Sequence, residues 1–196
     1  MNSGIERHPL EPFLPAGARV LMLGSFPPKR ERWSMEFYYP NFQNDMWRIL
    51  GLLFYGDRQH FVSADERHFD RTRIVDFCTE RGIALYDTAT AVRRLKDNAS
   101  DKFLEVVEPT DVAALLRRIA ACRTVVVTGE KAAETVLLSL GSRTSHYPKV
   151  GEAVAFDFDG RPMQLWRMPS SSRAYPLALE KKAAYYRRLF AEVGML

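Results

Sequence analysis

Cysteine is scarce in this chain. Cys78 and Cys122 are the only two, and their separation makes neither a metal-ligand spacing nor a disulfide framework. A reduced, cytoplasmic setting is the simplest reading. Histidine is scarce too: His8, His60, His68 and His146 form no metal-ligand pair by spacing. No apolar run reaches membrane-spanning length, so no membrane association is expected. Met1 to Pro15 carries charges and prolines but lacks the apolar core of an export signal. The Gly-x-Ser-x-Gly elbow of serine hydrolases is missing. No carboxylate pair stands out at a loop-strand junction, and there is no repeat, low-complexity tract or linker.

What is present suits a globular protein. The 196 residues are 46% hydrophobic and 27% charged, enough to bury the core of one domain spanning 1–196. The net charge of +4 suits a polyanionic partner. The excess is clustered at Lys29-Arg30-Glu31-Arg32, Arg71-Thr72-Arg73, Arg93-Arg94-Leu95-Lys96, Arg117-Arg118 and Arg187-Arg188. Solvated helix faces account for most such clusters. Lys29 to Arg32 stands apart, inside a loop that a backbone phosphate could reach.

That loop belongs to the most informative stretch. An apolar run, Val20–Leu23, ends at Gly24-Ser25-Phe26-Pro27-Pro28, and Tyr38-Tyr39-Pro40-Asn41-Phe42-Gln43-Asn44-Asp45-Met46-Trp47 then opens an amphipathic segment. A buried strand feeding a Gly/Pro-locked loop, followed by a helix that starts on polar amides, builds a site at the carboxyl edge of an α/β sheet. Further strands are expected at Ile83–Tyr86, Thr124–Val127 and Met163–Arg167. Helices are expected at Asp45–Leu53, Ala64–Glu80, Asp111–Ala121, Glu130–Leu140 and Pro176–Val193. Asp111 reads as a helix start, Gly141 as a stop, and Pro176 as a first-turn residue. Ala153–Phe158, Asp159-Gly160 and Met163–Trp166 read as a hairpin around a tight turn. Val127-Thr128-Gly129 reads as a plain strand-to-helix turn, since the rest of a phosphate loop is absent. Short apolar strands alternating with helices imply an α/β/α fold of three layers around a mostly parallel sheet.

Four groups then fall at strand ends: the Gly24–Pro28 loop, Asn44, Asp87, and Met168-Pro169-Ser170-Ser171-Ser172-Arg173-Ala174-Tyr175. With them the chain resembles the uracil-DNA glycosylase superfamily, most closely its hypoxanthine-DNA glycosylase branch. The matching pieces are Leu-Gly-Ser-Phe-Pro at 23–27, Tyr-Tyr followed by Asn-x-Met-Trp at 38–47, and Gly-Ile-Ala-Leu-Tyr-Asp at 82–87. Val-Glu-Pro-Thr-Asp at 107–111, Val-Val-Thr-Gly-x-Lys-Ala at 126–132 and Pro-Ser-Ser-Ser at 169–172 complete the set. The resemblance implies a monomeric base-excision enzyme, acting on DNA that contains deaminated bases and working without metal or cofactor. The four-cysteine cluster of some other glycosylases is missing, so no iron–sulfur centre is expected.

The resemblance also assigns roles. Asn44 falls at the branch's catalytic asparagine, whose carbonyl places a water against an oxocarbenium-like sugar. Asn44 can equally cap the following helix, and the two roles are compatible. Tyr39 falls where an aromatic ring lies under the flipped base, while Tyr38 reads as core. Gly24, Ser25, Phe26 and Pro27 would wall the base pocket, or simply form a structural turn. Asp87 stands where uracil-specific relatives carry asparagine. An ionised aspartate only accepts hydrogen bonds, so it would favour a ring N–H such as N1–H of hypoxanthine and disfavour a carbonyl. A structural role for Asp87 is the alternative. Lys29 and the segment Met168, Pro169, Ser170, Ser171, Ser172 and Arg173 would grip DNA. Met168 replaces a histidine common at that position, so no imidazole is expected there to stabilise a departing base. The rival readings are an inactive nucleic-acid-binding protein of the same fold and a small-molecule nucleoside hydrolase.

Overall fold

The computed structural model describes residues 4–95, 103–140 and 146–196. Lys96 and Gly141 lie outside them. The main sheet has five strands: β2 (Val20–Gly24), β3 (Ile83–Asp87), β6 (Thr124–Thr128), β7 (Glu152–Phe158) and β8 (Arg161–Met168), in the order β3-β2-β6-β8-β7. β2 pairs in parallel with β3 and β6, and β6 with β8; only β7 runs antiparallel, against β8. Every residue of β2, β3 and β6 is buried. Side chains alternate faces along a strand, so both faces of the sheet are covered. This is why these strands read as unbroken apolar runs. The β7–β8 turn places Asp159 and Gly160 at positive φ, +53° and +77°, as a two-residue hairpin requires.

A second sheet was not anticipated. It is antiparallel, in the order β1-β4-β5, from β1 (Ile5–Arg7), β4 (Ala89–Arg94) and β5 (Leu104–Pro109). The Arg93-Arg94 cluster therefore lies on a strand and not on a helix face. Cross-strand ion pairs hold it, Arg93 to Glu105 at 2.8 Å and Arg94 to Glu6 at 3.0 Å.

The helices are α1 (Met46–Tyr55), α2 (Arg71–Arg81), α3 (Val112–Arg118), α4 (Glu130–Leu140) and α5 (Leu179–Glu192). Two differences from expectation have local causes. Residues 64–69 are not helical because Asp70 caps α2, its carboxylate accepting from Arg73 N–H at 3.1 Å. Pro176 lies before α5 and not in its first turn, since Tyr175 and Leu177 close turns onto Ser172 and Tyr175. Asp111 caps α3 as expected, accepting from Ala114 N–H at 2.9 Å. No helix of the described residues is long and apolar enough to cross a membrane.

Candidate active site

The carboxyl ends of β2, β3 and β6, with the segment after β8, open into one pocket of about 120 Å³, many times the room one water needs. β2 and its loop supply Gly24, Ser25, Phe26 and Pro27; β3 supplies Asp87 and β6 Thr128. Tyr39 and Asn44 enter from the segment before α1, and Ser170, Ser171 and Ser172 from the segment after β8. Residues far apart in sequence thus share one cavity, at the place where parallel sheets build their sites.

Gly24 allows the closest approach. A Cβ built there would lie 2.4 Å from Asp87 Oδ1, so the carboxylate occupies the space a side chain would need. Gly24→Ala is accordingly expected to displace Asp87 and destabilise the fold by about 1–3 kcal/mol, measured by urea denaturation. Tyr39 is held in the left-handed region at φ +48°, which a bulky residue adopts only when its surroundings enforce it. Its ring meets Trp47 edge-on at 6.0 Å, and its hydroxyl lies 3.2 Å from Thr128 Oγ1. Burial pushes the Tyr39 phenol upward, with the Thr128 hydroxyl opposing.

Asn44 is half-buried, just before α1, and its Oδ1 accepts from Met46 N–H at 2.9 Å. The amide is thus oriented by the helix start, while a carbonyl oxygen keeps a second lone pair for another donor. The strand-like bridge from Asn44 to Ser172 joins its loop to the serine segment. Asp45 N–H donates to Ser171 O at 2.9 Å. Beneath the bridge lies an ion-pair cluster. Asp45, 7% exposed at its side chain, accepts from Lys182 Nζ of α5 at 3.1 Å and from Arg173 Nε at 2.9 Å. The Lys182 side chain is 1% exposed and also donates to Ser172 O at 2.8 Å.

Several expected contacts fall elsewhere. Met168 is fully buried at the end of β8, and Pro169 is buried with its carbonyl accepting from Tyr186. Neither side chain offers a DNA contact. Arg173 is exposed, but its guanidinium also binds Gln43 Oε1 at 3.0 Å, so it braces the two loops together. Lys29 is half-buried at the start of a 3₁₀ turn, Arg30–Arg32, and does not line the pocket. Arg30 pairs with Glu36 and stacks over Trp33 at 4.2 Å. Ser170 and Ser172 each accept from the N–H two residues on, at 3.2 Å. Their hydroxyl protons remain to donate outward.

Sequence reasoning missed several residues of the site, Thr128, Asn41 and Gln43 among them. Leu10 and Arg94 line the pocket; Arg94 reaches Pro27 O at 2.7 Å and so fixes the loop after β2. His8 lies behind Asp87, its Nε2 2.8 Å from Asp87 Oδ2, with a side chain 2% exposed. No local pattern marks it, since the partners are 79 positions apart. Burial raises the thiols of Cys78 and Cys122 above their ordinary range, so neither is a candidate nucleophile. Among the described residues, no group of three or more His, Cys, Asp or Glu is placed to hold a metal ion.

Comparison with protein families finds no family model that matches the chain, and comparison with curated proteins finds no match. Among solved structures, the fold is similar to the solution NMR structure of a protein from Methanosarcina acetivorans named as a "putative Uracil DNA glycosylase". The TM-score is 0.62 at 20% identity, over 97% of this chain and 99% of that one. The likeness spans nearly the whole chain and establishes an α/β fold of that kind.

Proposed function

We propose that the protein is a DNA glycosylase of the uracil-DNA glycosylase superfamily, with residues 1–196 forming one three-layer α/β/α domain. It hydrolyses the N-glycosidic bond of a deaminated base, hypoxanthine or uracil, flipped out of DNA during base-excision repair. The observation that carries this reading is the convergence of Asn44, Tyr39, Asp87 and Ser170–Ser172 on one strand-end pocket. In the reaction the C1′–N bond breaks with its electron pair leaving on the base. A water oxygen bonds to C1′, and the water's proton passes through solvent to the departed base. Asn44 Oδ1, oriented by Met46 N–H, accepts from that water on its remaining lone pair and places it without adding charge. The Tyr39 ring supports the base by stacking, worth about 1–3 kcal/mol. Asp87 accepts from the base edge. Phosphates are held by the hydroxyls of Ser170 and Ser172 and by Lys29, a monomer sufficing for the site.

The test is a single-turnover assay on oligonucleotides carrying uracil, hypoxanthine, xanthine or mismatched thymine. Release of none of these bases, with DNA binding intact, would favour a binding protein that has lost excision. Affinity for undamaged DNA is expected to fall steeply with salt, by about tenfold or more between 50 and 200 mM, because phosphate contacts release counterions. A flat profile in a filter-binding titration would argue against a DNA substrate.

A further inference from the structure

The proposed reaction makes no use of a buried imidazole that stands behind Asp87, the one carboxylate lining the pocket among the described residues. His8 is tied to the second sheet, its own N–H donating to Thr90 O at 2.8 Å. Its ring packs against Phe26 at 5.3 Å and Tyr86 at 4.7 Å. Nδ1 faces the backbone of Leu10, 3.2 Å from N and 2.9 Å from O. Nε2 faces Asp87 Oδ2 at 2.8 Å. A carboxylate only accepts, so Nε2 carries the proton whichever role Nδ1 plays. The other carboxylate oxygen, Oδ1, lies against Gly24 in the pocket wall, and no hydrogen bond from the described residues reaches it. The Asp87 side chain is 10% exposed and lines the pocket, so Oδ1 faces the cavity, where water or the edge of a base can supply its donor.

We propose that His8 is the positioning residue that makes the pocket selective for bases bearing a ring N–H beside a carbonyl, as in 6-oxopurines. By binding Oδ2 it prevents the carboxylate from turning and presents Oδ1 alone to the base edge. A base with N1–H pairs with Oδ1; a base whose ring nitrogen is an acceptor or is methylated sets like against like, or leaves the oxygen unpaired. The inference rests on the glycosylase reading and adds to it how the carboxylate is aimed.

The probe is equilibrium binding of oligonucleotides containing 2′-fluorinated deoxyinosine, which resists cleavage, or its N1-methyl derivative. The wild-type protein is expected to prefer the N1–H form by about ten- to a hundredfold. In His8→Phe that ratio should fall to near unity while affinity for undamaged DNA stays unchanged, which a general loss of stability would not produce. His8→Gln, whose amide can still donate, should recover part of the ratio. A His8→Phe protein that binds DNA and keeps the full ratio overturns the role of His8 alone. A wild-type protein that binds both oligonucleotides no better than undamaged DNA overturns this inference; the glycosylase reading falls with it only if the excision assay also releases no uracil.

A second readout needs no DNA. The His8 Nε2–H proton, bonded to a buried carboxylate, should give an exchange-protected imidazole resonance that disappears in Asp87→Ala. Its absence from the wild-type spectrum would count against the pairing.

Discussion

Replacing Asn44 with alanine is expected to lower single-turnover excision by about a hundredfold or more, because a water that is no longer placed loses most of its effective concentration. The same change removes the hydrogen bond from Met46 N–H to Oδ1, a cap-type contact worth about 0.5–2 kcal/mol. Two effects of one side chain must therefore be separated. Asn44→Ser retains a short acceptor for the helix start but cannot reach a water at the same place. It should recover most of the stability lost by alanine while remaining as inactive. Urea denaturation and single-turnover rates on hypoxanthine- and uracil-containing oligonucleotides, measured on both variants, check this. A serine variant as active as the wild type would leave Asn44 with the cap alone.

Asp45→Asn is expected to destabilise the protein by about 3–5 kcal/mol, since removing one partner of a buried ion pair leaves the other charge uncompensated. The charge left behind is that of Lys182, whose side chain is 1% exposed. Its remaining contact is Ser172 O at 2.8 Å. The substitution is nearly isosteric, so the loss is electrostatic and not a matter of volume. Converting Lys182 to methionine in the same protein should restore most of the stability, because a buried ion pair replaced by neutral groups of similar size costs little. Arg173, with a side chain 44% exposed and paired to the same carboxylate, tempers the effect on the loops. Equilibrium unfolding in urea of the single and double variants reads the difference directly. Because Asp45 adjoins Asn44 and Lys182 binds the Ser172 carbonyl, the single variant should also loosen the bridge between the two loops.

Other features were legible or hidden for physical reasons. β2, β3 and β6 were readable because strands buried on both faces must be apolar at nearly every position. The Asp159-Gly160 turn and the Asp111 cap were readable because each depends on a side chain or backbone freedom at that very position. β1, β4 and β5 were not. Ile5–Arg7 has three residues, and Ala89–Arg94 and Leu104–Pro109 mix charged with apolar residues without clean alternation. Their pairing is reinforced by ion pairs such as Arg94 with Glu6, 88 positions apart. A basic pair on such a strand looks, in sequence, like one on a helix face.

The sequence by itself determined which segments could be central strands, where the loops at their carboxyl ends fall, and which polar residues stand at those ends. These are local properties, decided by apolar periodicity and turn chemistry within a few residues. Only the tertiary structure decided which of those residues meet. It brought Asp87 within 2.8 Å of His8, buried Lys182 against Asp45, and set Arg173 as a brace between loops. It also carried Met168 into the core, where its thioether packs at 0% exposure. Such pairings depend on the sheet order β3-β2-β6-β8-β7 and on the second sheet laid beside it. Charge and hydrogen-bond partners act over a few ångströms of space, whatever their separation along the chain, so no window of sequence contains them.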